Sequence, residues 1–492
     1  MPLRLRFLLD TNILIPLQDS MVVLQPSLTN FVRLCNMHGH QLLYHPASVE
    51  DIQRDPIEDR RNRTLTRLGQ YVQLQAGPAC PWNTPQTSAN DACDNEILYA
   101  LKCNAAHALV TEDQGLHRKA RERGLSDRVY FIQSADDWLR RLHEPGEIQL
   151  PNINDVELHT LADQLTGAFF DSLREDYDGF DDWFRRKARE GRRAWIYRYG
   201  ANEDIAAICI YTVQTNEPIT DDGKILRGEA LKLCTFKVGD AVRGRKIGEL
   251  FLRAAFMYAT NHQCKSIFLH ANDEQQTYLT SLIEDFGFRY SGLYQGDGVY
   301  VKAHPINPPA IQLDPFGYVR LFYPHYMSGI EVQKFLVPIQ PQYHDILFPD
   351  YQRPRYALPE GHPQRHVGNA IKLAYLCHTP SKQPRSGDIV LFYRSGDMRA
   401  VTTLGVVESY QWSESANQIA QIVSRRTVYS DQQIERMART ETKVMLFRLI
   451  CHFENPVPYG ELNRLRVVTG SIQSITNITD ESFSRILRAT KR

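Results

Sequence analysis

Arg6-Phe7-Leu8-Leu9-Asp10-Thr11-Asn12-Ile13-Leu14-Ile15 decides how the first third of this chain is read. The apolar run over residues 5–9 has the length of a short buried strand, and it stops on an acid. Amphipathic helices follow. A second buried strand is expected over 108–111, running into Glu112-Asp113. Alternation of strand and helix predicts a parallel α/β sheet over residues 1–145. In such open sheets ligands gather beyond the carboxyl ends of the strands, which places Asp10 and Asp113 on one edge. Asp94 lies between them in sequence, at the start of DNEILYALKC. Three acids on one edge repel one another and are stabilised by a cation. Hard oxygen donors with open positions suit Mg²⁺ or Mn²⁺. The fitting chemistry is phosphodiester hydrolysis, with the metal lowering the pKa of a bound water and stabilising the phosphate. Each acid taken singly reads equally well as a helix N-cap; the joint pattern carries the expectation.

That pattern, FLLDTNILI, DNEILYAL and LVTEDQGL, resembles the PIN-domain ribonucleases over about 140 residues, including the Thr before the last acid. The resemblance implies a metal-dependent endoribonuclease with Asp10, Asp94 and Asp113 as metal ligands. A further family acid lies on an early helix. HPASVEDIQRD offers Glu50 and Asp51, and position relative to Pro46 and Ile52 favours Asp51 as the fourth catalytic acid. Glu112 and Asp91 are spare acids beside the expected ones, either in a second metal shell or solvated.

A polar, Pro-containing seam over 144–155 ends this region, and residues 150–304 have a different rhythm. Strands are expected over 194–198, 205–212, 229–238 and 266–270, with a long helix over 247–260. The strand ending at Val238 runs into a basic turn, Arg243-Gly244-Arg245-Lys246-Ile247-Gly248, at that helix's N-terminus. Backbone amides and the helix dipole there can cradle a pyrophosphate. A basic, Gly-containing loop without a ligand is the plain alternative. The turn resembles the acyl-CoA motif R-x-x-G-x-G/A of the GNAT acetyltransferases. Arg243 and Gly248 match its ends, and Lys246 replaces its first Gly. IFLHAND and LIEDFGFRYSG resemble the family's closing strand–helix–strand. The resemblance implies acetyl-CoA bound by Val238 and residues 243–248, and acyl transfer to an amine. The family's usual proton-donating Tyr position is Ile283 here, while Tyr278, Tyr290 and Tyr294 lie nearby, so the general acid stays open.

After the Pro-rich HPINPPAIQLDPFG, residues 312–492 read as β-rich, with a strand pair over 388–393 and 400–408 around Ser395-Gly396-Asp397. With GNAIK at 368–372, they resemble the PUA-like barrels, including the ASCH and EVE groups, although the ASCH signature G-x-K-x-x-E-x-R is not met. The resemblance implies RNA binding, with Lys372, Tyr393 and Arg394 as candidates and Tyr375 beside them. The alternative is that such aromatics merely alternate along a half-buried strand.

Charge is unevenly spread. Residues 1–145 hold 16 basic against 17 acidic side chains, 146–305 hold 19 against 24, and 306–492 hold 22 against 16. The C-terminal third is the better candidate for a polyanion. Nine widely spaced cysteines without a C-x-x-C pair point to reduced thiols and a cytoplasmic setting. No long apolar run predicts a membrane span. The whole reads as a multidomain α/β and α+β chain: parallel α/β, mixed-sheet and β-barrel. By the resemblances it is a nuclease–acetyltransferase acting on RNA of the translation system (tRNA, rRNA or mRNA), as a toxin or stress protein with an antitoxin partner. Two alternatives remain: an N-acetyltransferase of a protein or small amine with an inert first domain, and a non-catalytic RNA-binding sensor.

Overall fold

The computed structural model describes residues 3–18, 25–75, 79–82, 89–144, 152–199, 204–239, 242, 246–272, 276–351, 364–367, 370–424, 426 and 429–490. Contacts sort the chain into two compact units. One joins Met1–Ile148 to Ser413–Thr442, and the other joins Gln149–Trp412 to Lys443–Arg492. The stretches expected as domains at 150–304 and 312–492 thus share the second unit, except that 413–442 belongs with the first. The protein is multidomain α/β, with a parallel-sheet unit and a mixed-sheet unit.

In the first unit β1 (Arg6–Leu9), β2 (Gln41–Tyr44), β3 (Val72–Gln73), β4 (Ala108–Val110) and β5 (Val129–Tyr130) form one sheet in the order β3-β2-β1-β4-β5. All its pairings are parallel. Helices cover both faces of such a sheet, so its central strands are apolar throughout rather than alternating: Phe7, Leu8 and Leu9 are all buried. The Phe7 ring meets Phe31 and Trp138 edge-on, with centroids 5.1 and 5.4 Å apart. The order reverses between β1 and β4, the position at which such sheets open a crevice.

Residues 413–442 complete this unit through the helices Ala416–Val423 and Asp431–Met437. The second starts on a capping box, Ser430 with Gln433. Glu435 Oε1 accepts from Leu3 N at 2.6 Å, and Asn417 Oδ1 from Arg4 N at 2.8 Å. Ile419, Ala420, Val423 and Ile434 are buried.

The second unit holds two sheets. The larger comprises β6 (Asn152–Glu157), β7 (Arg193–Tyr199), β8 (Asp204–Thr215), β9 (Glu229–Val238), β10 (Ser266–Ala271), β11 (Arg289–Tyr294) and β12 (Asp297–Ala303), with β14 (Gln364–Val367) at its edge. Their order is β11-β12-β10-β9-β8-β7-β6-β14. The β9–β10 pair is parallel, while β8–β9 and β10–β12 are antiparallel. The strands expected to wrap as a barrel form a mixed six-stranded sheet. They are β13 (Lys334–Ile339), β15 (Lys372–Cys377), β16 (Ile389–Arg394), β17 (Ala400–Ser413), β18 (Thr442–Pro458) and β19 (Thr476–Ile478), in the order β15-β18-β17-β16-β13-β19. One hydrophobic cluster runs through both sheets, from Phe251 and Leu269 to Tyr323, Leu336 and Leu391. Among the described residues no helix is long and apolar enough to cross a membrane.

Candidate functional site

The acids of the first unit sit at the crevice. Asp10 follows β1, and Asp113 stands three residues beyond β4. Asp10 is buried, and both of its carboxylate oxygens accept hydrogen bonds. Oδ1 accepts from Thr11 N at 2.7 Å, and Oδ2 accepts from Thr111 Oγ1 at 2.6 Å and Asn12 Nδ2 at 2.8 Å. Thr11 Oγ1 donates to Asp51 Oδ2 at 2.7 Å, which ties the helix Pro46–Gln53 to the same place. Glu50 on that helix is exposed. Asp113 caps the helix Gln114–Glu122, accepting from Gly115 N at 2.6 Å and Leu116 N at 3.1 Å. The N-cap role weighed for these acids is therefore real at Asp113, and its charge still acts on Asp10 and Asp94. Glu112 is structural: its Oε1 accepts from Ile132 N at 2.8 Å.

Electrostatics shows that the acids feel one another. Burial pushes the Asp10 carboxyl up to about 6, and the charges of Asp94 and Asp113 add to the rise. Burial also raises Asp94, with Asp113 and Asp91 contributing, against the pull of Lys119. Lys119 Nζ lies 2.5 Å from Asp91 and 2.6 Å from Asp94. No spacing in the sequence pointed to Lys119, whose ammonium pairs with both Asp91 and Asp94. The donor set is all carboxylate oxygen, which suits a hard divalent ion. Among the described residues, Asp10, Asp94 and Asp113 do not bring their oxygens within 4.8 Å of one another.

In the second unit the described pairing of β9 with β10 ends part-way along β9. The parallel pair β9–β10 is in register from Ala230↔Ser266 to Leu233↔Leu269, and there the pairing stops. β9 runs on to Val238 and remains paired to β8. Among the described residues β10 pairs with β9 no further than Leu233, and an edge of this kind can take an extended ligand as an added strand. The β8–β9 register slips at Ile210/Tyr211, with Cys234 as the extra residue. This bulge turns Phe236 toward the helix Ile247–Asn261, where it meets Phe251 edge-on at 5.5 Å.

Arg243, Gly244 and Arg245 lie outside the described residues. Lys246 has φ 60, the left-handed conformation, and Ile247 and Gly248 are buried. A Cβ on Gly248 would stand 2.8 Å from Leu282 Cδ2, so Gly248 serves close packing against the helix Thr277–Asp285. Lys246 Nζ donates to Lys372 O at 3.2 Å, and Glu249 Oε1 accepts from Lys372 N at 2.5 Å. Ile283 is fully buried, whereas Tyr278 and Tyr290 are exposed.

Of Lys372, Tyr393 and Arg394, expected to meet RNA, Tyr393 and Arg394 are buried and Lys372 is half-buried. Tyr393 belongs to the hydrophobic cluster. The Arg394 side chain is 4% exposed and is held by Asp345 and Asp397. Lys372 pairs with Asp285. Arg448, fully buried, reaches the same carboxylate at 2.9 Å. Burial alone would raise Asp285, but Lys372, Arg448 and Arg320 outweigh it and hold the carboxyl well below its ordinary range. Alternating strand residues revealed none of this, because a buried Arg with two acidic partners has the same local pattern as an exposed one.

Residues 157–288 match the model of the Acetyltransferase (GNAT) family, so the chain carries a GNAT-type domain there. No curated protein matches the chain. Among solved structures, an acetyltransferase of the GNAT family from Staphylococcus aureus Mu50 is similar at 17% identity, covering 32% of this chain and 99% of its own, with a TM-score of 0.25. Arabidopsis thaliana NAA60 in complex with acetyl-CoA is similar at 13% identity over 31% and 99%, with a TM-score of 0.24. ASCH from Zymomonas mobilis is similar at 13% identity over 32% and 94%, also with a TM-score of 0.24.

Proposed function

We propose that this protein is an N-acyltransferase that uses acetyl-CoA. The family match over residues 157–288 carries the reading. The end of the described β9–β10 pairing at Leu233 supports it, since an extended thioester-bearing arm can add as a strand at such a place. The helix starting at Ile247 offers backbone amides and a dipole that suit a diphosphate. Direct transfer forms the amide bond to an acceptor amine and breaks the thioester, with the amine's proton lost and the thiolate protonated. Ile283 has no proton to give; Tyr278, exposed on the Thr277–Asp285 helix, is the nearer candidate by chain position. The test is acetyl-CoA binding by calorimetry, followed by transfer of labelled acetyl to peptides, small amines and aminoacyl-tRNA. Absence of both binding and transfer at saturating acetyl-CoA sinks the reading.

A second activity is favoured by one observation, the carboxyls of Asp10 and Asp94 at the sheet's crevice, both raised chiefly by burial and further by the charge of Asp113. In this reading the first unit is a PIN-type, metal-dependent ribonuclease. Asp10, Asp94 and Asp113 would hold Mg²⁺ or Mn²⁺, and Asp51 would act through Thr11. The ion would activate a water and neutralise developing charge on the phosphate. RNA of the translation system, and a toxin role with a neutralising partner, extend this reading by resemblance. An RNA-reading, PUA-like role for the six-stranded sheet needs surfaces other than Tyr393 and Arg394. Total cellular RNA incubated with Mg²⁺ or Mn²⁺ is expected to be cut by the wild type and spared by Asp10→Asn. RNA left intact by the wild type across metals, with and without acetyl-CoA, refutes it.

A further inference from the structure

A different cluster of ligand-type side chains stands at the opposite edge of the parallel sheet. Leu5 precedes β1 and His40 precedes β2, so this is the amino end of the strands, away from Asp10. His38 ends the helix Pro26–His38, His143 ends the helix Ile132–His143, and Asp431 begins the helix Asp431–Met437. Among the described residues these three form the one group of at least three His, Cys, Asp or Glu whose ligand atoms all lie within 4.8 Å of one another. His143 Nδ1 is 2.9 Å from Asp431 Oδ2, and the His143 ring stacks on His38 with centroids 3.7 Å apart. Gln432 N donates to Asp431 Oδ1 at 2.6 Å and fixes the carboxylate's aim. We propose that His38, His143 and Asp431 form a binding site for a divalent transition-metal ion of the zinc type.

Two imidazoles and one carboxylate are a borderline-soft set, which selects Zn²⁺ over Mg²⁺. Bonds of about 2.0–2.2 Å in a tetrahedron set the donors roughly 3.3 Å apart. The His143–Asp431 pair, at 2.9 Å, needs only to open slightly. His38, half-buried at a helix end, tilts out of its stack to present its lone pair. The protons balance. Leu5 N donates to His40 Nδ1 at 3.1 Å, so His40 carries its proton on Nε2 and donates to His143 Nε2 at 2.8 Å. His143 therefore carries its own proton on Nδ1, toward Asp431. On coordination through Nδ1 that proton moves to Nε2, the bond from His40 is given up, and the ring stays neutral, its metal-binding form. Water fills the fourth position. The ion joins helices from residues 26–38, 132–143 and 431–437, so its role is to fasten the first unit.

The test uses the full chain, stripped with a chelator and kept in excess Mg²⁺ so that carboxylate-only sites are filled. It is titrated with Co²⁺, which reports its ligands by its visible bands, and with Zn²⁺. One Co²⁺ per chain with nitrogen–oxygen tetrahedral bands, displaced by Zn²⁺, is expected, along with a rise in Tm on Zn²⁺ addition. His38→Ala and Asp431→Asn should each weaken Zn²⁺ binding by at least the about 10–100-fold that loss of an outer-shell partner causes. Each should also abolish the Tm rise, with an unchanged circular dichroism spectrum. His38→Ala removes a half-buried side chain at a helix end, so it reports on the site even where His143→Ala fails to fold. Unchanged Zn²⁺ affinity and stoichiometry in both variants, or no uptake by the wild type, overturns the proposal.

Discussion

A carboxylate buried beside two others costs the folded state free energy that the unfolded chain does not bear. Asp10 is that group, with its carboxyl raised to about 6. Between the ordinary value and 6 the folded state binds the proton more tightly, so this group's contribution falls as pH rises from 4 to 6 and stays low above. Asp10→Asn gives up one acceptor oxygen to an amide N–H but removes the charge, so the stability of the metal-free variant relative to wild type is expected to gain about 1–3 kcal/mol between pH 4 and pH 7. The gain should shrink when Mg²⁺ is added; urea unfolding at several pH values measures it. Lys302 is the basic counterpart. Burial lowers its ammonium to about 7, Arg448 adds to the fall, and Nζ donates to Leu321 O at 2.5 Å. For a base with a depressed folded value the penalty is complete below 7 and is relieved as pH rises toward 10. Lys302→Met should thus stabilise at pH 7 by about 1–3 kcal/mol, and the difference between variant and wild type should narrow in alkali. A gap that widens with pH contradicts the sign.

At the scale of elements, helix and strand positions were largely legible because burial imposes period. The strand expected over 229–238 is β9 without change, that over 108–111 is Ala108–Val110, and the helix over 247–260 is Ile247–Asn261. The placing of Asp10 and Asp113 just past two strand ends was legible too, because an acid stops a buried apolar run. What stayed hidden is whatever depends on partners far along the chain. The sequence carries no mark of Lys119 between Asp91 and Asp94, of the bulge at Cys234, or of Asp345 and Asp397 holding Arg394. Gly248 shows the difference between motif and cause. It was read as part of an anion cradle, yet its missing Cβ makes room for Leu282. Gly248→Val should force that flexible side chain aside and shift the start of the helix, costing about 1–3 kcal/mol by overpacking. If helix placement controls the cradle, acetyl-CoA affinity should fall by more than this stability loss explains, as calorimetry on the folded variant would register.

At the scale of the whole molecule, domain composition does not follow the order of the chain. β17 and β18 belong to the six-stranded sheet, yet residues 413–442 between them pack with residues 1–148. Linkers rich in Pro mark where packed structure pauses, but they cannot show that a hairpin loop leaves for another core. The excursion is held by apolar side chains rather than by polar contacts alone: Ile419, Val423, Tyr429 and Ile434 are buried, and Tyr130 OH meets Ser424 Oγ at 2.5 Å. Burial of each large apolar side chain is worth about 1.5–3 kcal/mol, so four of them rival the about 5–15 kcal/mol margin of an ordinary domain. The second unit has its own continuous cluster and the Asp285–Lys372–Arg448 ion pairs, none of which involve the excursion. Replacing residues 414–441 with a short Gly-containing turn should therefore act on one unit alone. In calorimetry the transition of the first unit should drop or disappear, and proteolysis should cut within residues 1–148. The transition of the second unit should remain, with acetyl-CoA still raising it. Equal loss of both transitions would mean that the excursion also supports the sheet from which it departs.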